Sequence, residues 1–195
     1  MPSSGPRGTS QERGRRRKAQ LIEGATHVLR TGGLQAVSAR SVADAAGVPL
    51  AAVTYYFTSL EALLAETLAQ MLQQWVEQIR RVTQRARSNP GEAALARWVT
   101  EAMLPAGGTS AIQAHYELLV ACGRRTALSA VLAQGRANID EALAELITAA
   151  LPQGTRSLSP QLVLAVLDGA VVSALSEGAP VGDMARARLL ELLGA

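Results

Sequence analysis

The stretch from Ser38 to Phe57, SARSVADAAGVPLAAVTYYF, holds residue types whose spacing could do chemistry on another macromolecule. It includes Tyr55, Tyr56 and Phe57, half of the six aromatic residues in a chain of 195. Ser38 suits the N-cap of a short helix with Val42, Ala43 and Ala46 on its apolar side, because a hydroxyl there accepts a bond from an unpaired backbone N–H. Gly47 suits a turn that needs positive φ. Val48-Pro49 then breaks the helix, since proline disfavours helical geometry in the residue before it but fits the first turn of the next one. The following helix is predicted from Leu50 to Tyr56. A helix-turn-helix needs a small residue where two helices touch, a glycine at the turn and apolar residues that hold the second helix down. Ala43, Gly47, Val48 and Val53 supply these in order. Leu50, Ala51, Thr54 and Tyr55 are left facing outward, on a helix of the kind that enters a DNA major groove. Hydroxyls there can bond to the duplex, while Leu50 and Ala51 offer only apolar contact, for example to a thymine methyl. An ordinary hairpin within a helical bundle is the plainer alternative.

Charge points to the same third of the chain. Residues 1–60 carry eight basic residues against three acidic ones, a net +5, while the remaining 11 basic and 13 acidic residues give −2. A basic N-terminal third on a mildly acidic remainder suggests a polyanionic partner for that third, with a solvated basic tail as the alternative.

Other chemistries lack their residues. A di-iron bundle would use Glu-x-x-His pairs, but Glu23 and His27 are one residue too far apart, and the residue three before His115 is Ile112. There is no Walker-type phosphate loop and no G-x-S-x-G elbow. Cys122 lies seven residues after His115 with no acid to complete a triad, so an inert buried thiol is expected. One cysteine and two distant histidines give neither an internal disulfide nor a structural zinc site. No catalytic residue, metal or cofactor is expected.

These side chains must be positioned by helices. Apolar residues make up 48% and charged residues 18%, Ala and Leu dominate and β-branched runs are scarce, so an all-helical protein of about nine helices is predicted. Residues 1–14 are read as a flexible basic arm, 15–58 as a helix-turn-helix domain and 59–195 as a larger helical domain. Leu21, Ile22, Ala25, Val28 and Leu29 form the apolar stripe of a first helix that stops at Gly32-Gly33. Thr58 and Glu61 have capping-box spacing before a long helix that keeps its period to Ser88. Further helices are predicted at 91–104, 109–122, 126–151, 160–177 and 183–193. No apolar run approaches the roughly 20 residues that cross a bilayer, so a cytoplasmic protein without membrane contact is expected.

Residues 15–64 resemble the DNA-binding domain of the TetR family of bacterial transcriptional regulators. The resemblance rests on the basic first helix RRRKAQLIEGATHVLR, then GGLQAVSARSVADAAGVP, then LAAVTYYFTSLEALL. Two positions depart from the family's pattern. Thr54 stands where a tyrosine is usual and Leu60 where a lysine is usual, both of which commonly touch phosphates in the family. Thr54 keeps a hydroxyl donor, Tyr55 is placed to take over a backbone contact, and Leu60 is suited to packing.

The resemblance implies a homodimer that reads a palindromic operator and releases it when a small molecule binds, that is, a repressor. Control by a protein partner, or a helical-bundle enzyme, are the alternatives. The implied DNA contacts are Arg16, Arg17 and Lys18 on the first helix, Ser38 and Arg40 at the start of the second, and Leu50, Ala51, Thr54, Tyr55 and Tyr56 on the third. By the same analogy Met71, Trp75, Trp98, Met103, Gln113, His115 and Tyr116 surround a pocket for a largely apolar ligand. Val163, Leu167, Ala170, Val171 and Ala174 on the penultimate helix, with Leu189 and Leu193 on the last, are the expected dimer face.

Overall fold

A computed structural model describes residues 10–151 and 158–194. Among them it contains nine α-helices and one short 3-10 turn: α1 (Ser10–Gly32), the turn (Leu34–Ala36), α2 (Ala39–Ala46), α3 (Leu50–Tyr56), α4 (Leu60–Ala86), α5 (Glu92–Met103), α6 (Gly108–Cys122), α7 (Thr126–Ala150), α8 (Pro160–Glu177) and α9 (Val181–Leu193). They form two compact units, one ending at Leu68 and one beginning at Ala69. The first turns of α4 therefore belong to the N-terminal unit, past the 58/59 boundary read from the sequence.

In the N-terminal unit α1 and α2 pack closely and α3 packs on α2. Leu21, Ala25, Val28, Leu29, Val42, Ala43, Val53, Phe57, Leu63 and Leu64 form its buried centre. The close approach depends on Gly24. A Cβ there would lie 2.9 Å from the Ala46 Cβ, the Ala46 amide nitrogen and the Val42 carbonyl oxygen, so any side chain would strike backbone. Residues 10–14, expected within the flexible arm, are instead the first turn and more of α1. Glu12 lies in that first turn, where it complements the helix dipole, and arginine is a good helix former, so low apolar content did not mean absence of helix. Residues 1–9 of that arm lie outside the described residues.

In the C-terminal unit α8 packs most extensively against α9, α5 contacts both α7 and α9, and α7 contacts α6 and α8. Ser159 accepts a bond from the Leu162 N–H and Pro160 occupies the first turn of α8, the start expected from the sequence. Residues 160–177 reach a mean hydropathy of 1.3 over 18 residues, which meets a membrane-span test on length and composition. About a third (33%) of that span is buried, with Val163, Leu164, Leu167, Ala170, Val171 and Ala174 on its packed side. α4 starts from a different cap than expected. Ser59, one residue after Thr58, accepts the bond, from the Ala62 N–H at 3.0 Å.

Candidate functional site

Local chemistry sets the geometry around Gly47. Ser38 accepts from the Ser41 N–H at 3.0 Å and its own N–H donates to the Ser41 hydroxyl at 2.9 Å, a reciprocal cap on α2. Gly47 closes the helix at φ 63, ψ 37, a left-handed conformation that glycine adopts without penalty. The Val48 N–H returns to the Ala43 carbonyl at 3.0 Å. Pro49 then turns the chain into α3.

α3 has one anchored and one open side. Val53 is buried, as is Phe57 at the helix end, whereas Leu50, Ala51, Thr54 and Tyr55 are exposed. Tyr55 stands out at 80% exposure and Leu50 at 50%, values that leave nearly the whole phenol free for a partner. The four outward residues are those expected from the sequence. Two details refine the contact set. The Thr54 hydroxyl donates to its own helix at the Ala51 carbonyl, 3.1 Å away, so it meets a partner as an acceptor unless that bond is exchanged. Tyr56 is half-buried, edge-to-face with Tyr55 at 4.9 Å, and its ring approaches α1 at Gly14, which makes it a support for Tyr55.

The basic residues divide in the same way. Lys18 pairs with Glu66 at 2.6 Å and lies 5.2 Å from the centre of the Phe57 ring. It thus joins α1 to α4 over Phe57 while its side chain stays 39% exposed. Arg17 is half-buried, with a long contact to Gln20 at 3.4 Å. Arg16 and Arg40 are exposed and make no ion pair among the described residues. Ser38 uses its hydroxyl as the cap, leaving Arg40 beside the first N–H groups of α2. Leu60 is half-buried at the start of α4.

Of the seven residues placed around a ligand, three come together. Trp75 donates its indole N–H to the Ala102 carbonyl at 3.1 Å, which fixes the ring. His115 lies edge-to-face against it at 4.8 Å, and Tyr116 lies 5.7 Å from His115. Met71 is one helical turn before Trp75 on α4 and half-buried. The others are placed by different contacts. Trp98 is buried with Arg97 and Arg85 at 4.4 and 5.3 Å from its ring, and Met103 is buried in the core. Gln113 is exposed and bonds along its own helix to Glu117 at 2.9 Å.

Sequence reasoning missed the acid of this cluster. Tyr116 donates to Asp168 Oδ1 at 2.8 Å, tying α6 to α8. Burial pushes the Asp168 carboxyl above its ordinary value, opposed by the Tyr116 bond and the charge of Arg136. Burial, then the charge and hydrogen bond of Asp168, hold the Tyr116 hydroxyl well above its usual range. The signal was present as a lone acid within the apolar run LVLAVLDGAVVSAL, where an unpaired carboxylate is uncommon. Cys122, as expected, is buried, and burial raises its thiol, partly offset by Arg125.

Most of the residues expected at the dimer face are packed inside the chain. Val163, Leu167, Ala170, Val171, Ala174 and Leu189 are buried within the chain itself, and Leu193 is half-buried. Small residues on α8 allow close approach of α9 in the same subunit. The opposite side of α8, with Leu162 at 48% and Val172 at 56% exposure, is apolar and uncovered.

An anchored short helix after a glycine turn, with its outer side open and basic residues nearby, defines a helix-turn-helix DNA-binding protein. Residues 21–67 match the family described as "Bacterial regulatory proteins, tetR family", and residues 90–195 match "Tetracyclin repressor-like, C-terminal domain". The chain belongs to the TetR family of transcriptional regulators. A curated relative, the HTH-type nicotine-responsive transcriptional repressor HdnoR of Paenarthrobacter nicotinovorans, is 41% identical over 66 residues, and this match spans about a third (34%) of each protein. Among solved structures, the multidrug binding protein EbrR complexed with imidazole is 31% identical, with 91% of this chain and 94% of that one covered at a TM-score of 0.65. EbrR has also been solved with ethidium, proflavin and malachite green. A TetR-family member from Streptomyces coelicolor A3 is 29% identical, with 91% and 98% covered at a TM-score of 0.63.

Proposed function

We propose that this chain is a homodimeric repressor that reads a palindromic operator with α3 and releases it when a small organic molecule binds the C-terminal unit. The supporting observation is the division of α3 into a buried side, Val53 with Phe57, and an open side, Leu50, Ala51, Thr54 and Tyr55. Tyr55 and Thr54 serve the groove, while exposed Arg16 and Arg40, with the free N–H groups at the start of α2, serve phosphates. In a dimer the two reading helices would enter successive major grooves about 34 Å apart. The work is done by binding alone, with no catalytic step, in the bacterial cytoplasm where the DNA lies.

The uncovered side of α8, around Leu162 and Val172, is the surface assigned to the second subunit, in place of the buried residues first expected. Val172→Arg should convert dimer to monomer in sedimentation and weaken operator binding with it. α4 contributes residues to both units, and Phe57 and Lys18 hold its first turns to the reading helix, so a ligand that shifts α4 would alter the setting of α3. EbrR supports the ligand class: its complexes hold small aromatic molecules.

Selection of bound sequences from random DNA tests this reading. A palindromic motif with salt-sensitive affinity is expected. Recovery of no motif would refute sequence-specific recognition.

A further inference from the structure

The open side of α3 is apolar to a degree that a water-facing surface does not require. Leu50 and Tyr55 are two of the five large apolar residues exposed among the described residues, and both lie on this helix of seven. Leu50, Ala51 and Thr54 fall at i, i+1 and i+4, which places them on one continuous side, with Tyr55 one turn beyond Ala51. The helix, LAAVTYY, has no amide, guanidinium, ammonium, imidazole or carboxylate. It therefore lacks the side chains that identify most bases by their edges: Arg or Lys for guanine, Asn or Gln for adenine, Asp or Glu for cytosine.

Thr54 narrows the choice further. Its hydroxyl donates to the Ala51 carbonyl at 3.1 Å, so the hydrogen is engaged inside the helix and a methyl group and an acceptor oxygen remain for a partner. Apolar surface such as that of Leu50 and Ala51 is stabilised by leaving water for another apolar group, and neither a phosphate nor a polar base edge supplies one. The major groove offers one apolar group, the C5 methyl of thymine. Arg40, exposed on α2, can add a phosphate or guanine contact, and that contact is indifferent to the methyl.

We infer that α3 reads its operator through thymine methyls, with Leu50, Ala51 and the Thr54 methyl as the apolar surface that selects them. This rests on the reading that α3 enters the major groove, and it adds what the helix recognises there: A·T pairs whose thymines face it, with no guanine read by α3 itself.

The test changes the DNA and leaves the protein intact. An operator selected from random DNA is remade with deoxyuridine at every thymine of its two half-sites, which removes the methyl and keeps every hydrogen-bonding group of the base pair. One buried methyl is worth about a fourfold gain, so the full chain should bind the uracil operator at least about tenfold more weakly. Deoxyuridine outside the half-sites should change affinity by less than about twofold. Leu50→Ala identifies the contact: the ratio of affinities for the thymine and uracil operators should shrink by at least about twofold in this variant. Half-sites without thymine, a uracil operator bound within about twofold of the thymine one, an equal loss from uracil outside the half-sites, or an unchanged ratio in folded Leu50→Ala would each overturn the inference. The first three use the wild-type chain, so they decide the matter if Leu50→Ala fails to fold. Selection of a palindrome that is indifferent to the methyl sinks this inference alone, whereas recovery of no motif sinks the regulator reading.

Discussion

Gly24 in the N-terminal unit and Gly135 in the C-terminal unit each sit where two helices meet closely, and they differ in what the missing side chain avoids. At Gly24 the neighbours on α2 are the Ala46 Cβ and two backbone atoms, all at 2.9 Å from a Cβ. At Gly135 on α7 the neighbour is the side chain of Leu72 on α4, with its Cδ1 at 2.6 Å and its inner carbons at 3.3 and 3.4 Å. Backbone cannot yield without moving a helix, but a leucine can change rotamer. Electrostatics follow the same division. In the N-terminal unit the partly exposed Lys18 pairs with Glu66 over Phe57, while the C-terminal unit keeps Asp168 against the pull of burial. One unit is fastened so that α3 presents a fixed surface. The other holds an adjustable helix contact and a carboxyl whose charged form burial disfavours.

The largest expected effect tests the fastening. Phe57→Ala should cost about 3–5 kcal/mol in the N-terminal unit, as a buried aromatic removed from a small core. Urea unfolding followed by hydrogen exchange in α3 would measure it, and a loss below about 1 kcal/mol would mean that Phe57 is no anchor. Next come the glycines as a pair. Gly24→Ala should cost about 1–3 kcal/mol by overpacking against backbone. Gly135→Ala should stay within about 1 kcal/mol of wild type, because Leu72 can give way and alanine favours the helix by roughly 1 kcal/mol. Equal costs at the two positions would erase the contrast between the units.

The smallest effect concerns Asp168. A carboxyl whose folded value lies above its unfolded one holds its proton more tightly in the folded state, so it subtracts stability as pH rises through that range and nothing below it. Asp168→Asn should therefore raise stability at neutral pH by less than about 1 kcal/mol, since the group is partly solvated. The gain should vanish below the ordinary carboxyl range. Thermal unfolding across pH checks the sign, and a variant less stable than wild type at neutral pH would show the carboxylate to be structural.

Local signals made much of this legible in the sequence. Ser38, Gly47, Pro49 and Pro160 each act on the few residues around them, and the helices they bound start and stop where those residues require. The outward set on α3 follows from the same logic, because a seven-residue helix with Val53 buried leaves few choices. Pairings between distant residues were not legible. Lys18 reads as one more base in a run until Glu66 appears beside it, 48 residues away. Asp168 and Tyr116 are 52 residues apart, and nothing local announces their bond. The packed side of α8 was illegible for a related reason: apolar residues lie on both of its sides, so periodicity does not tell which one is buried within the chain.

The central claim is that the exposed side of α3 reads DNA while its buried side only holds it in place. Operator affinity of Tyr55→Ala, measured beside its sedimentation and its unfolding midpoint, tests that most directly. The ring is 80% exposed, so its loss should leave fold and assembly unchanged. A fall in operator affinity of at least about tenfold is predicted, worth roughly 1.4 kcal/mol. Unchanged affinity in a folded protein would contradict the assignment of α3 as the reading helix.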